Sequence, residues 1–444
     1  MGIFISNKLY VLSQKIKPLK ISHFLFKDDF IKKSALFTLA AGAISFFNYI
    51  YHPILGNLLP VASFGEVEVL YSMYNIFGIF LFAFSSVIIH VTANTENEEE
   101  RNTVLGTIAR IALIVSVGAS VVVAATSPLL ERVFKFESPL PFIVLALLLP
   151  FATYVFFGAA TFQGKKEVRP YAMGNGLVSL FRLIFGAILV VVGFKVLGVM
   201  FAFLAAQMLA ALYVFSLLRK KVSVLHAKQT TEEEKARLKK EVRYGVMVFV
   251  ANLSVILFSN GDILTVKYFF SPDVAGLYSG ISTIGNIIYF AMTPVSAVLL
   301  ASVKLKSTVS ENKRILLITL GITTVFGGLC WLLFATSHGI IIPLALGKKF
   351  TSFSPYLSQV ALVMALAGVY NVTLMFFLAL RKKFVFFPAI FSAALLFVLI
   401  ALRHQNIDQI IHNFMAAVIV ALAVSGARLA FEFLKHAELP DGKS

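Results

Sequence analysis

The chain has 444 residues, of which 59% are hydrophobic and 14% are charged, and 44 of them are Phe. Soluble globular proteins have about 45–50% apolar and about 25% charged residues, so this composition excludes that class and indicates an integral membrane protein. The formal net charge of +17 comes from short basic clusters between apolar runs. Such clusters are typical of topology signals and contacts with anionic lipid headgroups, so we expect no nucleic-acid partner.

Residues 1–33 alternate Lys with short apolar groups. They contain neither an apolar core of signal-peptide length nor a small-residue cleavage site, so we do not expect a removed signal. We predict instead a cytoplasmic amphipathic tail that lies partly on the membrane surface.

From residue 34 onward the sequence predicts twelve apolar segments, each near the roughly 20 residues that a helix needs to cross a bilayer. They are continuously apolar and do not alternate, which predicts helices and excludes a closed barrel. The predicted segments are 34–55, 67–90, 104–125, 141–162, 171–194, 196–218, 244–268, 274–303, 315–336, 356–380, 384–402 and 407–434.

Lys and Arg concentrate in the N-terminal tail, the even-numbered loops and the C-terminal tail. This pattern predicts that both termini are cytoplasmic, in a multi-pass protein of the cell membrane. The largest break is a basic cytoplasmic linker at residues 219–243. It separates a predicted N-terminal six-helix bundle at 34–218 from a C-terminal bundle at 244–434, and a short tail follows at 435–444.

Similar stretches recur in the two halves. The turn LLPVASFGEVEVL, with Gly65, resembles FFSPDVAGLYSG, with Gly276, and PLLERVFKFESPL resembles PLALGKKFTSFSP. FQGKK likewise resembles LALRKK, and the three pairs occur in the same order. Regular recurrence indicates duplication, and six helices return the chain to the same side of the membrane. The sequence therefore predicts an all-α fold of two parallel six-helix bundles.

Catalytic patterns are weak. The eight His residues are scattered without metal-ligand spacing, no carboxylate pair or nucleophile motif accompanies them, and the single Cys330 cannot form a disulfide within one chain. The stretch GAATFQGKK departs from a phosphate loop in its glycine spacing and lacks the final Ser or Thr. We expect no enzyme activity, no cofactor and no metal site, and transport would need an ion gradient, a substrate gradient or another protein.

Arg182 stands near the middle of the fifth segment with no acidic residue on the same helix. An Arg at the centre of a membrane helix costs at least about 2.5–3.5 kcal/mol on insertion scales, so it should face a cavity or a partner. The functional interpretation is a contact for an anionic substrate such as a phosphate. The structural alternative is a pair with another helix, for which Asp262 is a candidate.

Asp262 lies toward the outer end of the seventh segment, beside Asn260. It is a candidate ion-coupling residue, by coordination of a cation or by protonation, and Asn260 is assigned to the same site. The alternative is a partly wetted Asp held by Lys267 or Arg182. Asp262 is the only clear mid-segment carboxylate, and the matching place in the first half, residues 48–55, contains none.

Amides within the segments could line a polar passage or join helices. Asn75, Gln207 and Asn252 are assigned with Arg182 as candidate substrate-binding residues. Further amides of the same kind are Asn48, Asn286 and Asn371.

The sequence resembles the polysaccharide flippases of the multidrug/oligosaccharidyl-lipid/polysaccharide exporter superfamily. The resemblance is carried by residues 260–279, NGDILTVKYFFSPDVAGLYS, by LLPVASFGEVEVL and by Gln163-Gly164. An acidic turn, TENEEERN at 95–102, replaces the basic motif of major facilitator transporters. The resemblance covers about residues 30–435.

The resemblance implies two bundles around a central cavity that move a lipid-linked saccharide to the outer leaflet by alternating access. It also implies membrane lipids and polysaccharide polymerases or glycosyltransferases as partners. The alternative within the superfamily is an ion-coupled drug or cation antiporter, which usually needs more acidic residues in its cavity. A third interpretation, from another class, is a membrane scaffold or a glycosyl-chain polymerase, and the duplication argues against it.

Overall fold

The computed structural model describes residues 29–95, 97–219, 232–303 and 307–437. Within these ranges the chain is helical apart from short turns, and it contains no strand. Residues 1–28 of the predicted N-terminal tail and residues 220–231 of the predicted linker lie outside the described residues, so the domain boundaries placed there stay predictions. The twelve helices are α1 Asp29–Leu58, α2 Val61–Asn94, α3 Glu98–Val133, α4 Leu140–Gly164, α5 Val168–Val191, α6 Lys195–Leu218, α7 Glu232–Phe269, α8 Pro272–Ser302, α9 Val309–Leu346, α10 Tyr356–Ala379, α11 Phe386–Leu402 and α12 Ile407–Ala437.

Eleven helices in the described part of the chain are long and apolar enough to cross a membrane, namely α2 to α12. In α7 the apolar part is Arg243–Phe269, so its first turns extend beyond the span. α1 has 30 residues and packs along α5. The predicted all-α membrane fold with about twelve spanning helices is confirmed.

Local signals explain where several helices begin. Asn97 accepts from the backbone N–H groups of Glu99 and Glu100 at the start of α3. Ser271 caps α8, whose first residue is Pro272, and Thr308 forms a capping box with Glu311 at the start of α9. Such residues satisfy N–H groups that a helix leaves without partners.

Helix packing repeats between the halves. In the first half α1 packs on α5, α2 and α3 pack on α4, and α4 and α5 pack on α6. The same pairs recur six helices later, because α7 packs on α11, α8 and α9 on α10, and α10 and α11 on α12. The shared pattern confirms two parallel six-helix bundles. α4 and α10 occupy equivalent places at their centres, with 61% and 83% of their apolar windows buried.

The halves meet mainly where α2 packs against α7 and α8. At the end that carries the α1–α2 and α7–α8 turns, which we call the closed end, backbones touch. An added Cβ at Gly276 would lie 2.1 Å from the carbonyl oxygen of Val61, and one at Gly65 would lie 2.6 Å from the Cα of Gly276. Only glycine allows so close an approach. The two glycines predicted to be equivalent therefore contact each other.

Polar contacts reinforce the closed end. Asn57 Nδ2 donates to the carbonyl oxygen of Ala345 at 3.0 Å. Lys349 Nζ donates to the carbonyl oxygens of Asn57, at 3.3 Å, and of Leu59. Partial burial lowers the pKa of Lys349 from its ordinary value. These bonds join the end of α1 to the end of α9 and to the turn that follows it.

Candidate functional site

Side-chain hydrogen bonds cross between the halves in the interior of the bundle. The hydroxyl of Tyr49 on α1 donates to the carbonyl oxygen of Thr283 on α8 at 3.3 Å. Thr283 Oγ1 donates to Glu68 Oε2 on α2 at 3.0 Å. Asn75 Nδ2 on α2 donates to Asn260 Oδ1 on α7 at 3.0 Å. We call these five residues the polar seam.

Asp262 lies inside the second half and is only 2% exposed. Its Oδ2 accepts from Tyr278 OH at 2.9 Å and from Ser282 Oγ at 2.6 Å, both on α8. Its Oδ1 is buried and has no hydrogen-bond partner among the described residues. Apolar side chains enclose it, namely Phe258, Val360, Val363, Met364, Ile411 and Phe414.

The cationic partners weighed for Asp262 have other contacts. Lys267 Nζ lies 3.8 Å from Glu66 Oε1 and 5.0 Å from the centre of the Phe136 ring. Arg182 donates to Asn48, in the first half. The alternative in which Lys267 or Arg182 holds Asp262 is therefore wrong. The hydroxyl groups of Tyr278 and Ser282 donate to the Asp262 carboxylate instead.

Glu68 is a second buried carboxylate, which the sequence analysis missed. It is 2% exposed, and its Oε1 lies 2.6 Å from Nδ1 of His52 on α1. The predicted segment begins at 67, which leaves Glu68 at its outer end within the stretch LLPVASFGEVEVL, whereas α2 begins at Val61. Pro60 immediately before α2 was the available signal, because Pro is common at helix starts. The expectation that Asp262 is the only such carboxylate is wrong.

Arg182 is buried among aromatic rings. Its NH2 donates to Asn48 Oδ1 at 2.9 Å, and its Cζ lies 4.3 Å from the ring centre of Tyr51, 4.8 Å from Phe203 and 5.1 Å from Tyr71. Its Nε has no hydrogen-bond partner among the described residues. A desolvated guanidinium over aromatic faces gains about 2 kcal/mol or more from the ring quadrupole. In this conformation Arg182 ties α5 to α1, α2 and α6.

The predicted amide residues divide between the seam and the helices. Asn75 and Asn260, assigned to different roles, bond to each other across the halves. Gln207 Nε2 donates to Tyr74 OH at 3.1 Å within the first half, while Asn252 Nδ2 donates to Val248 O of its own helix. The structure therefore does not gather Arg182, Asn75, Gln207 and Asn252 into one site. Asn75 and Asn252 are half-buried, whereas Gln207 is buried.

No group of three or more His, Cys, Asp or Glu residues that could hold a metal ion occurs in the described ranges. In place of such a group, Asp262 lies against the hydroxyl groups of Tyr278 and Ser282. The carboxylates of Asp262, on α7, and of Glu68, on α2, both accept from hydroxyl groups of α8, which lies between them.

Comparisons with solved structures reveal the same fold. The inward-facing conformation of a multidrug resistance MATE family transporter of the MOP superfamily has a TM-score of 0.66 at 16% identity, covering 89% of this chain and 96% of that one. Lipid II flippase MurJ in an inward closed conformation gives 0.69 at 13% identity, covering 88% and 86%. An outward-facing MATE family transporter gives 0.56 at 15% identity, covering 90% and 95%.

No curated protein sequence matches this chain. The model of the family described as Polysaccharide biosynthesis protein matches residues 30–301, which run from α1 through most of α8 and include every residue of the polar seam. The match spans more than half of the sequence. This multi-pass membrane protein therefore belongs to the polysaccharide biosynthesis protein family.

Proposed function

We propose that the protein is a translocase that moves a polyprenyl-diphosphate-linked oligosaccharide from the cytoplasmic to the outer leaflet by alternating access. The observation that carries the proposal is the polar seam, because it joins two repeated bundles through a few breakable hydrogen bonds. Membership of a polysaccharide biosynthesis family and a fold shared with a lipid II flippase support the same cargo class.

The conformation corresponds to an inward-facing state in this proposal. The closed end, where backbones touch at Gly65 and Gly276, faces outward, and both termini are cytoplasmic in the cell membrane. The higher TM-score with the inward-facing than with the outward-facing MATE transporter supports this assignment. Transport then requires the closed end to part.

The saccharide headgroup passes between the halves while the polyprenyl tail stays in lipid. This division avoids moving a diphosphate through hydrocarbon, which is very costly. Asn75 and Asn252 are the candidate contacts that remain half-buried in this state. Gln207 and Arg182 become contacts once α1 and α2 move, and the unpartnered Nε of Arg182 is then available to a phosphate oxygen.

Asp262 is the proposed ion-coupling residue. Its unpartnered Oδ1 accepts a proton or contacts a cation, while Tyr278 and Ser282 hold the other oxygen. Asn260 lies two positions earlier on α7 and accepts from Asn75 across the halves. It therefore places the Asp262 site next to the polar seam. Enzymes that extend the saccharide, glycosyltransferases or a polymerase, are the proposed protein partners.

The experiment is a leaflet assay in proteoliposomes with a fluorescent lipid-linked saccharide. A membrane-impermeant quencher reports how much label has reached the outer leaflet. Asn75→Leu and Asn252→Leu are expected to slow the movement of the labelled saccharide to the outer leaflet. Asn175→Leu is the control, because the Asn175 amide donates to Tyr171 O within α5. Equal rates in all three variants would refute the assigned passage.

A drug or cation antiporter is the second candidate. Glu68 favours it, because the argument against an antiporter is the shortage of acidic residues inside the membrane, and Glu68 adds a buried carboxylate. The MATE-like fold is compatible with both candidates. A measurement of cationic dye uptake into the same proteoliposomes distinguishes the two candidate functions, because only the antiporter transports the dye.

A further inference from the structure

His52 and Glu68 form a buried imidazole–carboxylate pair on the first half of the seam. Nδ1 of His52 and Oε1 of Glu68 are 2.6 Å apart, and the side chains are 7% and 3% exposed. The other oxygen, Oε2, accepts from Thr283 of the second half. One carboxylate thus joins a titratable partner on α1 to a helix of the opposite bundle.

We infer that this pair is a proton-binding site whose occupancy controls the hydrogen bond between α2 and α8. Without the added proton the pair carries one negative charge, and Oε2 accepts a charge-assisted hydrogen bond from Thr283. Such bonds are roughly twice as strong as neutral ones. The pair takes one proton from water and becomes neutral, whichever of the two groups holds it, so Oε2 becomes the weaker acceptor.

The surroundings make this charge change consequential. The rings of Tyr51 and Tyr71 contact the His52 ring, with centres 5.5 and 5.0 Å away, and also contact Arg182. A buried charge is tolerated only when it is compensated, and Arg182 is the cation that shares the rings of Tyr51 and Tyr71 with His52. Other charged and titratable side chains on the neighbouring elements include Tyr49 on α1, Glu66 and Tyr74 on α2, Lys267 and Asp262 on α7, and Tyr278 and Tyr289 on α8.

Neither the cargo nor the coupling role of Asp262 enters the inference. Asp262 is bonded by Tyr278 and Ser282 inside the second half, whereas the His52–Glu68 pair lies in the first. The pair therefore adds a second proton-responsive group at the interface between the halves. Its protonation loosens the seam and favours opening of the closed end.

The test measures the closed-end distance directly in the full-length protein in lipid nanodiscs. Spin labels are placed at Val192 and Ser352, exposed residues of opposite halves at the closed end, with Cys330→Ser removing the native thiol. Distances are recorded between about pH 5 and pH 8, where imidazole groups commonly titrate. No cargo is present, so the result is independent of the transport assay.

Acid is expected to lengthen the distance in the parent protein. Glu68→Gln, which mimics the neutral pair, should raise the ratio of open to closed molecules by about fivefold to tenfold at all pH values. Thr283→Val should do the same, and His52→Asn should remove most of the pH response. Thr293→Val is the matched control, because Thr293 is half-buried on the same helix and its hydroxyl donates to Phe290 O of that helix.

A parent distance that does not change with pH would overturn the inference. So would a Glu68→Gln variant that keeps the parent pH response, since another group would then bind the proton. Circular dichroism and gel filtration of each variant confirm that the helical fold is retained. A fully folded Thr283→Val variant with the parent distance distribution would show that the α2–α8 bond does not hold the halves.

Discussion

Ser282 and Thr283 are consecutive residues of α8, yet their hydroxyls donate to carboxylates in opposite halves. Ser282 Oγ donates to Asp262 on α7 at 2.6 Å, and Thr283 Oγ1 donates to Glu68 on α2 at 3.0 Å. Successive helical residues point about 100° apart, so one helix contacts both carboxylates at the same depth. A rotation of α8 that disturbs one bond must therefore disturb the other.

Asp262→Asn is expected to remove the response of transport to sodium and proton gradients while leaving the protein folded. The amide keeps the shape and can still accept from Tyr278 and Ser282, but it neither ionises nor binds a cation strongly. Transport is measured in proteoliposomes with each gradient imposed in turn. Asp273→Asn, at an exposed position in the first turn of α8, is the control and should retain the parent response. Full gradient dependence in Asp262→Asn would remove Asp262 from the coupling site.

Arg182→Lys is expected to lower transport and thermal stability together. An ammonium group cannot form the planar stack over Tyr51 and Phe203, although it retains the charge. We expect a loss of about 1–2 kcal/mol in stability from the cation–π contacts. Thermal unfolding in detergent and transport at fixed protein amount measure the two effects. Arg110→Lys, on the exposed surface of α3, should leave both unchanged, and the same result at Arg182 would contradict the assigned role.

Gly276→Val should force the closed end apart. The new side chain meets the backbone of Val61, which cannot move away without shifting α2. The distance between labels at Val192 and Ser352 should lengthen, and transport should stop because the closed-outward state is lost. Gly321→Val places the same side chain on α9, where nothing lies within 4 Å of an added Cβ. Closed-end distances like those of the control would mean that the glycine contact does not determine the closed state.

Lys267→Met is expected to lower the stability of the protein less than Lys267→Ala does. Lys267 Nζ is buried without a hydrogen-bond partner among the described residues, and its Glu66 neighbour is 3.8 Å away. Met fills the volume beside Phe136, whereas Ala leaves a cavity. Adding Glu66→Gln to Lys267→Met should recover stability, since it removes the uncompensated carboxylate. Unfolding temperatures of the parent protein and the three variants test this order, and a double variant less stable than Lys267→Met would contradict it.

Composition and segment length predicted the helices, because a membrane chain must satisfy its backbone groups within helices and this requirement leaves a strong signal. The recurrence around Gly65 and Gly276 also indicated the duplication. Contact between those two glycines could not be predicted, since sequence similarity reports equivalence and not distance. Only the packing of α2 against α8 brings them together.

The candidate site was less accessible to sequence reasoning. Arg182 and Asp262 stand out as charges within apolar runs, so both were found, but their partners are uncharged groups on distant helices. Glu68 was missed because the second segment was predicted to start at 67, so Glu68 stood at its outer end, whereas it lies two turns inside α2. His52 was missed because a lone His near a segment end gives no signal until its partner is known.

The most direct test of the proposed function compares two cargoes in identical proteoliposomes. One sample of proteoliposomes contains a fluorescent polyprenyl-diphosphate oligosaccharide in its membrane. A fluorescent organic cation is added to the outside solution of the other sample. The account predicts that the protein speeds the movement of the lipid-linked saccharide between leaflets, that Asp262→Asn abolishes its gradient dependence, and that the cation is not transported. Gradient-driven cation transport with no movement of the saccharide would contradict it and establish the antiporter.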